Sequence, residues 1–238
     1  MSKVKELAKM IDHSILHPTM TDEDLRKECE VAKKYETASV CVKPYNVPLA
    51  AELLRGSEVL VGCVIGFPHG NSAIRVKVFE TEQAIKDGAI EIDMVVNVAK
   101  VLQEDWDYVT RELKEVVNVT KKNNAVLKVI FENDFIPADK YIIKLCEICS
   151  ELNVDYVKTS SGFGFVKGDD GKYSYEGATI HDLELMRKNS AAHVKVKAAG
   201  GIRTLDQFLA AKEAGADRIG ATATIAILSE AQERFGDS

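Results

Sequence analysis

Short runs of β-branched and aliphatic residues recur along this chain, each followed by a longer stretch with apolar positions three and four apart. After an opening helix over 3–10, strands are predicted over 11–16, 39–43, 59–66, 90–96, 126–131, 156–160, 194–199 and 218–221. Helices are predicted over 25–35, 72–87, 105–123, 139–152, 179–189, 205–214 and 224–234. Thr21-Asp22-Glu23-Asp24 is a helix start with acids in its first turn, and Gly88 is placed as a C-cap. The pattern amounts to eight strands alternating with helices over residues 1–238, with no internal linker, low-complexity tract or composition break. Such alternation predicts one α/β domain with a parallel sheet. Eight strands predict a closed (β/α)8 TIM barrel carrying an extra N-terminal helix. An open doubly wound sheet has the same local periodicity and stands as the alternative.

The alternation within each strand assigns inward and outward faces. In Glu91-Ile92-Asp93-Met94-Val95, the apolar Ile92 and Met94 take the face towards the helices, which turns Asp93 inward. Lys128, between Leu127 and Val129, turns inward by the same rule, as do Lys158 after Val157 and Lys197 after Val196. Asp12 and Lys43 are placed within reach of the barrel mouth. A lone lysine at a strand end ordinarily snorkels to water, which is the reading for Lys43 and Lys195. Buried ion pairs are about neutral for stability, so a charged interior points to chemistry instead.

Lys158 and Lys197 sit at C-terminal strand ends, where the active sites of such barrels lie, and glycines follow both. An amine that attacks a carbonyl near neutral pH must be partly deprotonated. Lowering a lysine from about 10.4 to about 7 takes roughly 4.6 kcal/mol. Desolvation and a neighbouring ammonium can supply that. Lys197 is the neighbour for Lys158. Asp93, with Lys128 as its charge partner, is placed to move protons during carbinolamine formation and dehydration.

Composition then removes several classes of partner. Hydrophobic content of 46% with 29% charged residues is ordinary for a soluble domain, and no run of eighteen apolar residues exists to enter a membrane. No signal-peptide core follows Met1, so the cytoplasm is expected. A net charge of −6 argues against a nucleic-acid partner. Five cysteines without a secretory signal are expected to be reduced. Cys146 and Cys149 lie within a predicted helix with no second pair, which reads as buried thiols and not as a metal site.

The run Lys158-Thr159-Ser160-Ser161-Gly162-Phe163-Gly164 resembles the Schiff-base motif of the deoxyribose-phosphate aldolases, a family of class I aldolases. Ile11-Asp12-His13-Ser14-Ile15-Leu16, Ser39-Val40-Cys41-Val42 and Val64-Ile65-Gly66-Phe67-Pro68 are similar to further motifs of that family. So are Glu91-Ile92-Asp93-Met94-Val95, Leu127-Lys128-Val129-Ile130 and the segment from Val196 to Thr204, in register along nearly the whole chain. The resemblance implies reversible condensation of acetaldehyde with glyceraldehyde 3-phosphate to 2-deoxyribose 5-phosphate. It further implies no metal, no cofactor and a homodimer. By motif it makes Lys158 the Schiff-base lysine, Lys197 the cation that lowers its pKa, and Asp93 the proton-transfer group. Asp12 and Lys128 become the supporting polar network, and Cys41 and Thr159 become pocket residues, with the Cys41 thiol open to inactivation by aldehyde products.

A phosphate site has support from chemistry as well. Glycine-rich strand-to-helix turns leave backbone N–H groups free and set a helix N-terminus against an anion. Gly162 with Gly164, Gly200 with Gly201, and Gly220 through Thr222 provide three such turns, and Arg203 adds charge.

The chain departs from the family pattern in four places. Gly220-Ala221-Thr222-Ala223-Thr224 stands where Gly-Thr-Ser-Ser/Ala-Gly is usual, which implies weakened but retained phosphate binding. Residues 165–177 run about ten longer than is common, as a solvated hairpin around Asp170-Gly171. The functional option is a flap with Tyr173 or Tyr175 against substrate or a neighbouring subunit. His69 replaces an aliphatic residue and Asn133 a threonine, and neither is assigned a role. The competing functions are a different class I aldolase, a sugar-phosphate isomerase, or an inactive metabolite-binding barrel. An isomerase would need a central carboxylate or cysteine base, and the paired lysines speak against it.

Overall fold

The computed structural model describes residues 2–236. Its barrel strands are β1 (Ile11–Ile15), β2 (Ser39–Val42), β3 (Leu60–Ile65), β4 (Glu91–Val95), β5 (Val126–Ile130), β6 (Tyr156–Lys158), β9 (Lys195–Ala199) and β10 (Arg218–Ala221). All neighbours are parallel, and β1 pairs with both β2 and β10. That pairing closes the sheet into a barrel and excludes the open alternative. Between β6 and β9 lies a separate antiparallel hairpin of β7 (Val166–Lys167) and β8 (Tyr173–Ser174), so the solvated hairpin predicted there is present.

The helices are α1 (Lys3–Ala8), α2 (Asp22–Tyr35), α3 (Val47–Leu53), α4 (Ile74–Lys86), α5 (Val98–Leu102), α6 (Trp106–Lys122), α7 (Asp139–Glu151), α8 (Ile180–Asn189), α9 (Leu205–Glu213) and α10 (Thr224–Phe235). The extra helix α1 packs against α10. Thr21 caps α2 in a reciprocal box with Asp24, and Thr204 caps α9 in the same way with Gln207. Gly88, at φ +115°, stands one place past the C-cap Asp87.

Two helices have no counterpart in the sequence reading. α3 was hidden by Pro44 and Pro48, although proline is tolerated in a first helical turn. α5 is too short for periodicity to reveal, and it is marked only by Asn97 accepting from the Lys100 N–H. Strand β6 stops at Lys158 rather than Ser160, although the Thr159 N–H still donates to the Lys197 carbonyl at 3.2 Å and its hydroxyl to the Ala199 carbonyl at 3.0 Å.

The inward and outward assignment holds. Ile92, Met94, Val129, Val157, Val196 and Ile219 join helix residues such as Leu113, Leu145, Phe208 and Ile227 in one buried apolar layer. Within that layer Lys77 on α4 meets Glu112 on α6 at 2.7 Å, fully buried. Lys77 also donates to the Val95 carbonyl at 2.7 Å, and Glu112 accepts the Asn97 N–H at 2.9 Å. This pair ties the loop above β4 to the helices beneath it. No helix among the described residues is long and apolar enough to cross a membrane.

Candidate active site

Parallel register sets the charged residues side by side. Asp93 lies opposite Lys128, and Lys197 lies between Lys158 and Arg218 on adjoining strands. Strand spacing of about 4.8 Å then brings the long side chains together over the barrel axis. Asp93 Oδ2 accepts from Lys158 Nζ at 2.7 Å and from Lys197 Nζ at 2.6 Å. Lys128 Nζ stands 3.2 Å from Asp93 Oδ1. It also donates to Asp12 Oδ2 at 2.9 Å and to Glu91 Oε2 at 2.5 Å. Lys197 Nζ reaches Asp12 Oδ2 at 2.5 Å as well. Asp12 and Glu91 are joined by the Arg218 guanidinium, and Asp12 accepts the Ser39 hydroxyl at 2.7 Å.

The network was legible in part. Asp12, Asp93, Lys128, Lys158 and Lys197 all meet in it, and all are buried. Arg218, Glu91 and Ser39 escaped the sequence reading. The signal was there: Glu91 shares the parity of Asp93 two residues on, and Arg218 that of Gly220. All three open their strands, at the end of the barrel remote from the C-terminal strand ends where an active site is expected.

Electrostatics separates the lysines. Burial lowers the pKa of Lys158, Asp93 opposes that shift, and the Lys197 ammonium adds to it. Burial acts on Lys197 and Lys128 too, yet their carboxylate partners overcome it and both are raised. Against the cost of burial, Lys128, Lys158 and Lys197 hold the Asp93 carboxyl below the ordinary carboxylate range. Lys128, Lys197 and Arg218 do the same for Asp12. Of the four cations on three carboxylates, Lys158 is the one whose proton leaves most readily.

Above this network opens a cavity of about 740 Å³ whose lining includes Lys158, Gly162, Gly200, Gly201, Gly220, Thr222 and Arg203. All three glycine turns therefore face one space with the lysine. Gly162, Gly200 and Gly201 have φ of +85°, +92° and +81°, in the left-handed region where side chains are strained. Ala221 and the hairpin residues Phe165 and Tyr175 also line the cavity, whereas Tyr173 is exposed.

Several predicted site residues lie elsewhere. Gly164 packs instead against Glu132 and Asp134. The Thr159 hydroxyl is spent on the Ala199 backbone, with both the carbonyl and the N–H at 3.0 Å, which staples β6 to β9. Cys41 is 1% exposed and sits behind the cavity beside Leu16, Val64, Phe67 and Phe163. Its Sγ is 4.0 Å from Asp93 Oδ2, and burial pushes its thiol up to about 11. Lys43 donates to the His17 and Met20 carbonyls at 3.2 and 2.8 Å, so it braces the loop after β1 and takes no place in the interior. Lys195 is exposed, as read, and His69 is exposed too. Asn133 is buried with its amide nitrogen 3.8 Å from Met186 Sδ.

Cys146 and Cys149 are buried in α7 as free thiols. Among the described residues no group of three or more histidine, cysteine or carboxylate side chains is arranged to hold a metal ion.

Fold and site together define the class: a (β/α)8 aldolase. The pattern of the DeoC/LacD family aldolases matches residues 7–230, and the chain belongs to that family. A deoxyribose-phosphate aldolase of Rhodopirellula baltica is 46% identical over 231 residues, covering 97% of this chain and 91% of the relative. One from Caldanaerobacter subterraneus is 45% identical over 225 residues, with 94% and 93% covered. Among solved structures, the aldolase QR15 superposes with a TM-score of 0.86 at 37% identity, covering 96% of each chain. The Aeropyrum pernix deoxyribose phosphate aldolase, described as a unique tetramer, gives 0.86 at 28% identity over 98% of this chain and 93% of its own.

Proposed function

We propose that this aldolase reversibly cleaves 2-deoxyribose 5-phosphate into acetaldehyde and glyceraldehyde 3-phosphate through an imine at Lys158. The reading rests on one arrangement: an amine of lowered pKa shares a cavity with three glycine turns suited to a phosphate. Relatives named for this substrate, over nearly the whole chain, support it.

The neutral Lys158 amine attacks C1 of the open-chain sugar, and the carbinolamine loses water to give a protonated imine. The C2–C3 bond then breaks as the C3 hydroxyl yields its proton, and the bond electrons pass into the imine to form an enamine. Glyceraldehyde 3-phosphate leaves. Protonation at C2 and addition of water release acetaldehyde and restore the amine. Asp93 is the group placed to carry these protons. Its Oδ1 has no hydrogen bond among the described residues, so it has acceptor capacity to spare. Lys197 remains an ammonium beside Lys158 and disfavours the protonated amine. Asp12, Lys128, Glu91 and Arg218 hold both in register.

Gly162, Gly200, Gly201, Gly220 and Thr222, with Arg203 at the exposed rim, form the phosphate end. Residues 1–238 act as one catalytic domain, as a homodimer by family resemblance, and in the cytoplasm, in keeping with five free cysteines.

Incubation with acetaldehyde followed by borohydride is expected to add an ethyl group at Lys158, located by mass spectrometry. Lys158→Arg should abolish the adduct while leaving the circular dichroism spectrum intact. An adduct mapped to any other lysine would sink the assignment. The ratio of kcat/KM for 2-deoxyribose 5-phosphate over 2-deoxyribose measures the phosphate end, and a ratio near one would remove it. Light scattering gives the assembly, with a monomer or a tetramer counting against the homodimer.

A further inference from the structure

The proposed reaction leaves one buried carboxylate beside the cavity without a task. Glu132 is fully buried just past β5, at φ +61°, a conformation that residues with a side chain adopt at a cost. Both its oxygens are engaged. Oε1 accepts the Ser161 N–H at 2.9 Å, and Oε2 accepts the Ser161 hydroxyl. That hydroxyl in turn accepts the Phe163 N–H at 3.0 Å. Two residues further on, Asp134 Oδ1 accepts the N–H groups of Glu176 at 2.7 Å and Gly177 at 3.1 Å. One short turn therefore holds both legs of the segment from Ser161 to Gly177.

What lies between the legs is cavity wall. Ser161, Gly162, Phe163, Phe165 and Tyr175 all line the cavity. Phe165 and Tyr175 meet edge to face at 5.2 Å, and Phe163 meets Phe67 at 5.5 Å. The fit against the turn is close: a Cβ added at Gly164 would lie 3.0 Å from Glu132 Oε1 and 3.1 Å from the Asp134 Cβ. The second leg continues onto another glycine turn. A Cβ at Gly177 would lie 2.5 Å from the Gly200 carbonyl oxygen, and the Ala178 N–H bonds that oxygen at 3.1 Å. A displaced leg would carry Gly162 or Gly200 with it.

We infer that Glu132 is a positioning residue which, with Asp134, sets the cavity wall receiving the phosphate-bearing end of the substrate, an inference that rests on the aldolase reading above. Glu132 acts through Ser161 and not on the reacting carbons. A carboxyl group suits the task, because its two oxygens accept the two donors of one residue, the Ser161 N–H and the Ser161 hydroxyl.

The test compares Glu132→Ala and Ser161→Ala with the parent enzyme. Three quantities are measured: kcat and KM for 2-deoxyribose 5-phosphate, borohydride trapping of acetaldehyde at Lys158, and amide hydrogen exchange over 161–177. For Glu132→Ala, KM is expected to rise about tenfold or more with kcat changed less, the split expected when binding geometry is lost. Acetaldehyde trapping, which uses no phosphate, should stay within about twofold of the parent across pH, and exchange over 161–177 should accelerate. Ser161→Ala should move KM and exchange in the same direction by less. Should Glu132→Ala fail to fold, Ser161→Ala decides alone.

Unchanged KM and exchange overturn the inference. A fall in trapping that matches the fall in kcat/KM overturns it too, since Glu132 would then act at Lys158. If the parent neither traps acetaldehyde nor cleaves the sugar phosphate, the aldolase reading fails. The exchange measurement still decides whether Glu132 holds the loop.

Discussion

Lys158 and Lys197 end on the same oxygen of Asp93, yet their amines are pushed in opposite directions. The difference is the number of carboxylates each one meets. Lys197 contacts Asp12 as well as Asp93, and two anions outweigh the burial of one cation. Lys158 has Asp93 alone and faces Lys197 besides. A lowered amine pKa brings the neutral nucleophile in at lower pH. Removing the neighbouring cation should reverse that. Lys197→Leu is expected to shift the rise of imine formation at Lys158 to higher pH by about one unit, each unit being about 1.4 kcal/mol. The pH profile of borohydride trapping measures it, and a profile that stays put would refute the pKa-lowering role of Lys197. Cys41 follows the opposite logic. With its thiol pushed up to about 11 and its side chain 1% exposed, iodoacetamide at pH 7.5 should label it far more slowly than a small-molecule thiol. Alkylation of Cys41 at the model thiol's rate would contradict that burial.

Each strand contributes by parity, and there the sequence was most informative. Alternation within 91–95 and 126–131 turns Asp93 and Lys128 inward without any knowledge of the fold, because apolar neighbours must face the helices. Parity does not say how far along the axis a residue lies, which is why Arg218 and Glu91 escaped at the remote end. Nor does it rank polar side chains at a strand end, and Thr159 proved to serve the backbone instead of the cavity. The hairpin of β7 and β8 was legible from Asp170-Gly171, but its aromatic pair over the cavity depends on Glu132 and Asp134, which local sequence cannot reveal. Because residues 165–174 are exposed, replacing 166–174 with a short glycine linker should move the thermal midpoint by less than about 2 °C. The same change should raise KM for the sugar phosphate several-fold, since the strand pair that sets Phe165 against Tyr175 is lost. Unaltered kinetics would reduce the hairpin to decoration. In the helix layer, Glu112→Leu strands the Lys77 ammonium and should cost about 3–5 kcal/mol, whereas the double variant with Lys77→Met should recover most of it. Urea unfolding of the three proteins checks this, and a double variant as unstable as the single would show that the pair does more than satisfy itself.

At the scale of the whole molecule, the network joins residues from β1, β2, β4, β5, β6, β9 and β10, so closing the barrel and assembling the site are one event. Acid should dissolve both together. Asp12 and Asp93 are fully buried and held below the ordinary carboxylate value of 3.8, whereas in the unfolded chain they titrate near it. Between those limits the unfolded state binds more protons, so the stability these groups confer is complete above about pH 4 and falls as pH drops below it. Each can contribute up to about 1.4 kcal/mol per pH unit, or about 2.7 kcal/mol together. Glu112 and Glu132, whose carboxyls burial raises, act with the opposite sign, but at pH above the ordinary glutamate value of 4.5, and they do not offset the loss below 4. The urea midpoint should therefore be clearly lower at pH 3 than at pH 5. Trp106, the single tryptophan, sits on α6 outside the barrel interior and reports the helix layer, while acetaldehyde trapping after a jump to pH 7 in urea reports the network. The two signals should be lost at the same urea concentration. Equal midpoints at pH 5 and pH 3 would mean that the buried aspartates are not held as carboxylates. Trapping lost well before the Trp106 signal would mean that the charged interior melts inside an intact shell.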